Sequence, residues 1–312
     1  MKLSFLQDLR KMGIIAQGDE LTQYLGIDHG VRGPKKHDHP QDDERFVATI
    51  YDPVLVTDNH RIAQLGAQST TLRDTVFALY GTPLRTTEYD GVSLRSDARE
   101  HRGVWGPSID TLLFCRALRQ MDLSNVRTVA EIGCGSGYIS AYMLHKAPAL
   151  ETITLVDFNP NAVSWAGEWI TDSRARFHAG NGIGFLKDKQ FDMVICNPPY
   201  IPRPSSIDDN PYEGVSLLAW LIEHAKEYLT PGGTHVTNIS SLCRDIAERA
   251  IARSDVDATT VDTLEVPLKV YNVLNNPAWM DYLRVEKGLH ATPHDGYDFW
   301  HNIAITKIQP RA

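Results

Sequence analysis

No apolar run in the chain approaches the roughly 18–20 residues that a membrane-crossing helix needs, so none of it reads as membrane-spanning. The opening MKLSFLQDLRKMG meets Asp8 and Arg10 too early to hold the apolar centre of a secretion signal, and no signal peptide is expected. Cysteine is sparse. Cys115, Cys134, Cys196 and Cys243 are scattered with no C-x-x-C pair, which argues against a disulfide scaffold and a thiolate zinc site and fits a reducing cytoplasm. Positive charge is in deficit: 31 Lys and Arg stand against 39 Asp and Glu, a net −8, an unfavourable balance for a partner that is mainly phosphate backbone. Internal repeats and low-complexity tracts are also missing.

What remains suits a folded enzyme-sized protein. Apolar residues make up 42% of 312 positions, enough for a core, and the length suits two domains or one domain with an extension. Residues 1–103 form the first region, expected to be a smaller N-terminal accessory domain for substrate recognition. There 3–12, 20–25 and 72–80 read as helices, and the Gly-, Pro- and charge-rich 30–44 reads as a loop. Turn signals at Asp90-Gly91 and near Asp97 suggest strands joined by turns in 88–104.

From Val104 the pattern becomes strand–helix alternation, which predicts an α/β domain over 104–312 with a mostly parallel sheet. Ile109, Leu112, Leu113 and Ala117 have helical spacing. Strands are expected over 128–132, 152–156, 176–179 and 191–196. Helices are expected over 138–147, ended by Pro148, and after Asn159, a capping residue followed by Pro160 in the first turn. A helical stripe runs from Val215 to Ala225. Pro231-Gly232-Gly233 then turns the chain into a strand over 234–238, and Leu242, Ile246 and Ala250 mark another helix. Closing strands over 261–266 and 303–308 flank an irregular, aromatic-rich stretch.

Three strand ends carry chemistry. Glu131-Ile-Gly133-Cys-Gly135-Ser-Gly137 lies between a strand and a helix, and glycine at alternate positions lets backbone approach a ligand without Cβ clashes. It is not the dinucleotide fingerprint, because Tyr138 fills the place that needs a small residue. Asp157 ends the next strand, where a carboxylate can accept from ribose hydroxyls, and Asn181 follows the third strand, within reach of an adenine edge. Asp157 could equally begin the next helix, and Asn181 alone could be a turn residue. Asn197-Pro198-Pro199-Tyr200 is the most distinctive motif. Two prolines stiffen the backbone and remove two N–H donors, while the Asn197 side chain and the Pro198 carbonyl offer two acceptors suited to an NH2 group. Tyr200 offers a flat face for a planar amide or base.

These residues resemble the class I S-adenosylmethionine-dependent methyltransferases, and more narrowly the HemK-like branch that methylates a glutamine side-chain nitrogen in release factors or a ribosomal protein. The resemblance spans about 86–240 and also rests on Val104-Trp-Gly-Pro107-Ser-Ile-Asp110-Thr111. It implies a Rossmann-like fold with a mostly parallel seven-stranded sheet and helices on both faces, and S-adenosyl-L-methionine as cofactor. By the same resemblance Gly133, Gly135 and Gly137 bind the methionine part, Glu131 helps the amino end, Asp157 holds the ribose, and Asn181 lies near the adenine. Pro107 to Thr111 close over the cofactor, and Asn197, Pro198 and Tyr200 hold the target nitrogen. The chain departs from that branch at Asn181, where Asp is usual, over 203–213, and in a long tail over 270–301. A protein glutamine is the first acceptor class. An exocyclic amine of a nucleic-acid base and a small metabolite stay open, as do a nicotinamide-dependent oxidoreductase and a silent cofactor-binding scaffold. Histidines 29, 37 and 39 with Asp38, and His290 with His294 and Asp295, lack ligand spacing, and no metal is expected.

Overall fold

The computed structural model describes residues 15–17, 54–56, 84–97, 100–101, 104–107, 109–204, 215–268, 273, 276–294 and 297–311. The helices expected over 3–12, 20–25 and 72–80, the loop over 30–44 and the histidines at 29, 37 and 39 lie outside the described residues. Strands β1 (Ile15–Gln17), β2 (Val54–Val56), β3 (Leu84–Tyr89) and β4 (Val92–Asp97) form one four-stranded sheet in that order.

The main sheet holds β5 (Thr128–Ile132), β6 (Thr152–Asp157), β7 (Ala175–Ala179), β8 (Phe191–Cys196), β9 (Leu229–Ser240), β10 (Val256–Pro267), β11 (His290–His294) and β12 (Tyr297–Pro310). Its path runs β10-β12-β9-β8-β5-β6-β7. The five strands from β9 to β7 are parallel neighbours, and β12 is inserted antiparallel between β9 and β10. This is the expected doubly covered Rossmann-like sheet of seven strands, with β11 added as an eighth on β12.

Alternation along the strands divides the core. Val129, Ile153, Leu155, Met193 and Ile195 face α1 (Ile109–Arg119), α2 (Tyr138–Lys146) and α3 (Pro160–Trp169). Ala130, Ile132, Val156, Val194 and Cys196 face α4 (Gly182–Leu186), α5 (Ser216–Glu223), α6 (Ala225–Tyr228) and α7 (Arg244–Arg253). Strands buried on both faces have no polar alternation, which is why Met193-Val-Ile-Cys196 reads as continuously apolar. At the opposite edge from the motifs, Asp192 accepts from the backbone of Arg127 and Thr128 and from Thr230 Oγ1, joining β5, β8 and β9.

Several boundaries differ from the sequence reading. The stripe from Val215 breaks at His224, whose ring Nδ1 lies 3.0 Å from the Trp220 carbonyl and stacks on Trp220, so α5 and α6 are separate. Leu242 belongs to a 3-10 turn (Ser241–Cys243), because Ser240 Oγ accepts its N–H before α7 begins. The stretch expected to be irregular contains α8 (Pro277–Glu286), capped by Asn276 and seeded by Pro277, and then β11. Trp279 and Trp300 are core residues, and Trp279 joins Ile201, Leu242 and Leu283 in a third apolar cluster.

The β3–β4 hairpin turns on Asp90 and Gly91, both at positive φ, as a two-residue hairpin turn prefers. It is fastened to α2 by Tyr138 Oη donating to the Val92 carbonyl (2.8 Å), Tyr142 Oη donating to Asp90 (2.8 Å) and the Lys146–Asp90 pair (3.1 Å). Tyr138, the residue that rules out the dinucleotide fingerprint, is therefore an anchor for the preceding hairpin. The four cysteines are free and buried. Among the described residues no helix is long and apolar enough to cross a membrane, and no group of His, Cys, Asp or Glu side chains is gathered as a metal would require.

Candidate active site

The parallel strands end side by side. Register pairs Ile132 with both Val156 and Cys196, so the residues that follow, Gly133, Asp157 and Asn197, share one carboxyl edge of the sheet. Ligands of open α/β sheets bind at this edge.

The glycine turn is closed by backbone. Gly133 and Cys134 donate to the Val156 carbonyl at 2.8 and 3.1 Å, and Ser136 donates to the Trp105 carbonyl at 3.0 Å. Gly133, Gly135 and Gly137 all have positive φ (74°, 52° and 76°). Their surroundings differ. A Cβ on Gly137 would stand 2.8 Å from Leu155 and Ile170 side-chain carbons, and one on Gly135 would stand 2.8 Å from the Trp105 carbonyl oxygen. A Cβ on Gly133 would meet nothing within 4 Å. Two glycines thus permit close protein packing, and Gly133 faces an open cradle.

Glu131 reaches the helix that follows the turn. It is 2% exposed, and its Oε2 accepts the Ser140 backbone N–H (3.0 Å) and the Ser140 hydroxyl. Ser140 lies in the first turn of α2, where helix N–H groups lack partners and where the cap residue, Gly137, has no side chain to supply one. Burial pushes the Glu131 carboxyl up from its ordinary 4.5 to about 8, against the lowering by Ser140. Turned to the helix, Glu131 supports the turn.

Asp157 closes the turn from the next strand. One oxygen accepts from Gly135 N (2.8 Å) and the other from Asn159 N (2.9 Å). Burial raises its pKa, and these two N–H groups lower it. Each oxygen retains a lone pair for a further donor. Asn159 caps α3 as expected, and Trp169 at the far end of that helix donates to the Ser136 carbonyl at 2.8 Å. Asn181 caps α4, its Oδ1 accepting from Ile183 N (2.9 Å) and Gly184 N (3.4 Å). Pro107, before α1, and Thr111, in its first turn, are buried, while Trp105 is exposed beside the glycine turn.

At the Asn-Pro-Pro-Tyr corner, Asn197 Nδ2 donates to Asp110 Oδ2 at 2.9 Å, and Asn197 Oδ1 accepts from Asn238 Nδ2. Pro198 is buried and Tyr200 half-buried. The Tyr200 ring lies 5.8 Å from that of His301, whose Nδ1 is 3.0 Å from Ser240 Oγ. The chain beyond the corner is clamped: Trp279 Nε1 donates to the Pro202 carbonyl at 2.7 Å, and the Arg203 guanidinium lies 5.2 Å from the Trp279 ring centre. Asn238, Ser240 and His301 escaped the sequence reading. The available signal was Asn238 and Ser240 alternating at the end of a buried strand.

The methyltransferase small domain family matches residues 108–265, half of the chain. The chain belongs to that family. Its members are class I S-adenosylmethionine-dependent methyltransferases. Among curated relatives, the release factor glutamine methyltransferase of Salmonella typhimurium is 29% identical over 136 residues, 38% of this chain and 48% of that protein. Ribosomal RNA large subunit methyltransferase G of Pseudomonas putida is 34% identical over 117 residues, 36% of this chain and 29% of that protein. The chain thus spans about half or less of the length of these relatives. Among solved structures, P. horikoshii TYW2 in complex with MeSAdo aligns at 10% identity with a TM-score of 0.47, over 83% of this chain and 89% of that one.

Proposed function

We propose that this protein is an S-adenosylmethionine-dependent N-methyltransferase acting on a planar amide or amino nitrogen, with a protein glutamine side chain as the first acceptor class. The observation that supports it best is the register that sets Asn197 beside Gly133, whose Cβ direction is open, on the edge that also carries Asp157. The residues fit the cofactor. Backbone at Gly133, Gly135 and Gly137 would line the methionine part, with Asp157 at the ribose, Asn181 near the adenine, and Pro107 and Thr111 over the site. When bound, S-adenosylmethionine supplies a methyl group on a sulfonium leaving group.

An amide nitrogen is a poor nucleophile because its lone pair is shared with the carbonyl. The work left to the chain is positioning, which supplies roughly 7–11 kcal/mol in favourable cases. Oδ1 of Asn197 and the Pro198 carbonyl would accept the two N–H groups of the acceptor, and Tyr200 would stack on its plane. Both hydrogen bonds strengthen as the nitrogen becomes positive, so they lower the barrier as well as bind. The proton leaves after transfer, and no strong base is needed.

Similarity to the release factor enzyme and to ribosomal protein uL3 glutamine methyltransferase supports the glutamine acceptor. Similarity to the ribosomal RNA enzyme supports an RNA base amine as the second reading. Residues 1–103 would serve acceptor recognition, and the four free cysteines suit the cytoplasm. The test is calorimetric titration with S-adenosylmethionine and with NAD, followed by tritiated-methyl transfer into separated protein, RNA and metabolite fractions. Binding of S-adenosylmethionine alone and label in protein are expected. NAD binding, or no label in any fraction, refutes the proposal.

A further inference from the structure

The Asn197 carboxamide is gripped at both ends by side chains far away in sequence. Asp110, in the first turn of α1, takes its N–H, and Asn238, near the end of β9, donates to its oxygen. A carboxamide can turn over and present NH2 where its oxygen stood, with almost the same shape. Something must decide between the two orientations. Asn238 cannot, because it is itself a carboxamide, and its own Oδ1 is buried without a hydrogen-bond partner among the described residues. It could turn over together with Asn197. An ionised Asp110 can only accept, so the reversed Asn197 would place oxygen against oxygen there.

We propose that Asp110 is the positioning residue that fixes the orientation of the Asn197 carboxamide, and that this restricts the methyl acceptor to a nitrogen carrying hydrogen. The inference rests on the function proposed above. With the NH2 end committed to Asp110, Asn197 Oδ1 keeps one lone pair beyond the one that Asn238 uses. That lone pair receives an acceptor N–H, and a ring nitrogen without hydrogen finds no donor in its place. The carboxylate, one amide away, also strengthens the partial negative charge on Oδ1 as the acceptor nitrogen becomes positive.

Asp110→Asn exchanges an accept-only group for one that can face either way. Purified release factor, ribosomal protein uL3 and large-subunit ribosomal RNA serve as acceptors for tritiated-methyl transfer. On whichever the wild type labels, Asp110→Asn should lower kcat by about 10–100-fold, the scale of one charge-assisted hydrogen bond. KM for S-adenosylmethionine and calorimetric affinity for S-adenosylhomocysteine should change far less than kcat, and Asp110→Glu should recover part of the loss. A readout without turnover comes from nitrogen-15 spectra of the free wild-type protein. The Asn197 side-chain N–H signals, identified by their loss in Asn197→Asp, should include one low-field proton protected from exchange, absent in Asp110→Ala. Wild-type kcat in Asp110→Asn overturns the proposal, and so do Asn197 amide protons that exchange like those of an exposed side chain. If the wild type labels none of the three acceptors, the functional reading fails, and the amide spectrum still decides the role of Asp110.

Discussion

The two halves of the candidate site are built in opposite ways. The cofactor edge is closed largely through backbone groups of neighbouring strand ends: Gly133 and Cys134 donate to Val156, and Asp157 accepts from Gly135 and Asn159. The acceptor corner is assembled from side chains that are strangers in sequence, with Asp110 lying 87 residues before Asn197 and Asn238 lying 41 after it. The first half depends on backbone and positive φ, and the second on side-chain hydrogen bonds across the fold. Substitutions should therefore separate them: damage at the turn reads out as lost cofactor affinity or stability, and damage at the corner as lost turnover.

The largest separation is expected from Asn197→Ala, which should cost at least about 100-fold in kcat, the scale for removing one preorganised transition-state contact, while calorimetric affinity for S-adenosylmethionine persists. Next come the two glycines. Gly137→Ala puts a Cβ against Leu155, Ile170 and Ala166 at positive φ. It should destabilise the fold by about 2–5 kcal/mol, combining left-handed strain with overpacking. Gly133→Ala meets open space, so it should cost only the conformational strain, about 1–2 kcal/mol in a denaturant titration, and still lose cofactor binding. Equal behaviour of the two would erase the distinction between a packing glycine and a ligand-facing one. Asp157→Ala should weaken cofactor binding by about 1–3 kcal/mol in calorimetry and loosen the turn.

A further separation is read from pH dependence. Folding holds the proton on Glu131 up to about 8, above its ordinary 4.5, so stability declines as pH rises from about 4.5 to 8 while the unfolded chain alone ionises. Burial lowers His235 from its ordinary 6.5 to about 4, so stability rises with pH between those values. The two oppose one another between about 4.5 and 6.5, and Glu131 acts alone between about 6.5 and 8. Melting temperature should fall over that upper window in the wild type, and the fall should flatten in Glu131→Gln. Parallel curves would mean that Glu131 is ionised in the fold.

What was legible in the sequence follows the same division. Strands β5 and β8, the Asn159 cap and the glycine turn were readable because each is fixed by local pattern: apolar runs, a capping side chain before proline, and glycine where φ must be positive. The contact of Glu131 with Ser140 was not legible, because only the fold reveals that Gly137 leaves α2 without a side-chain cap and that Ser140 meets the carboxylate. Asp110 stood inside a recognised motif, but its contact with Asn197 depends on where α1 docks. The stretch over 270–301 read as irregular because Trp279 is spaced for burial against Ile201 and Leu242, a pairing set by tertiary structure.

A crystal structure of the protein with S-adenosylhomocysteine tests the central claim most directly. The account predicts ribose hydroxyls on Asp157, the amino-acid end along Gly133, and the sulfur facing the Asn197 carboxamide across a gap wide enough for a methyl group. A ligand whose sulfur faces away from Asn197, or a corner still filled by the protein's own side chains with the ligand bound, would contradict it.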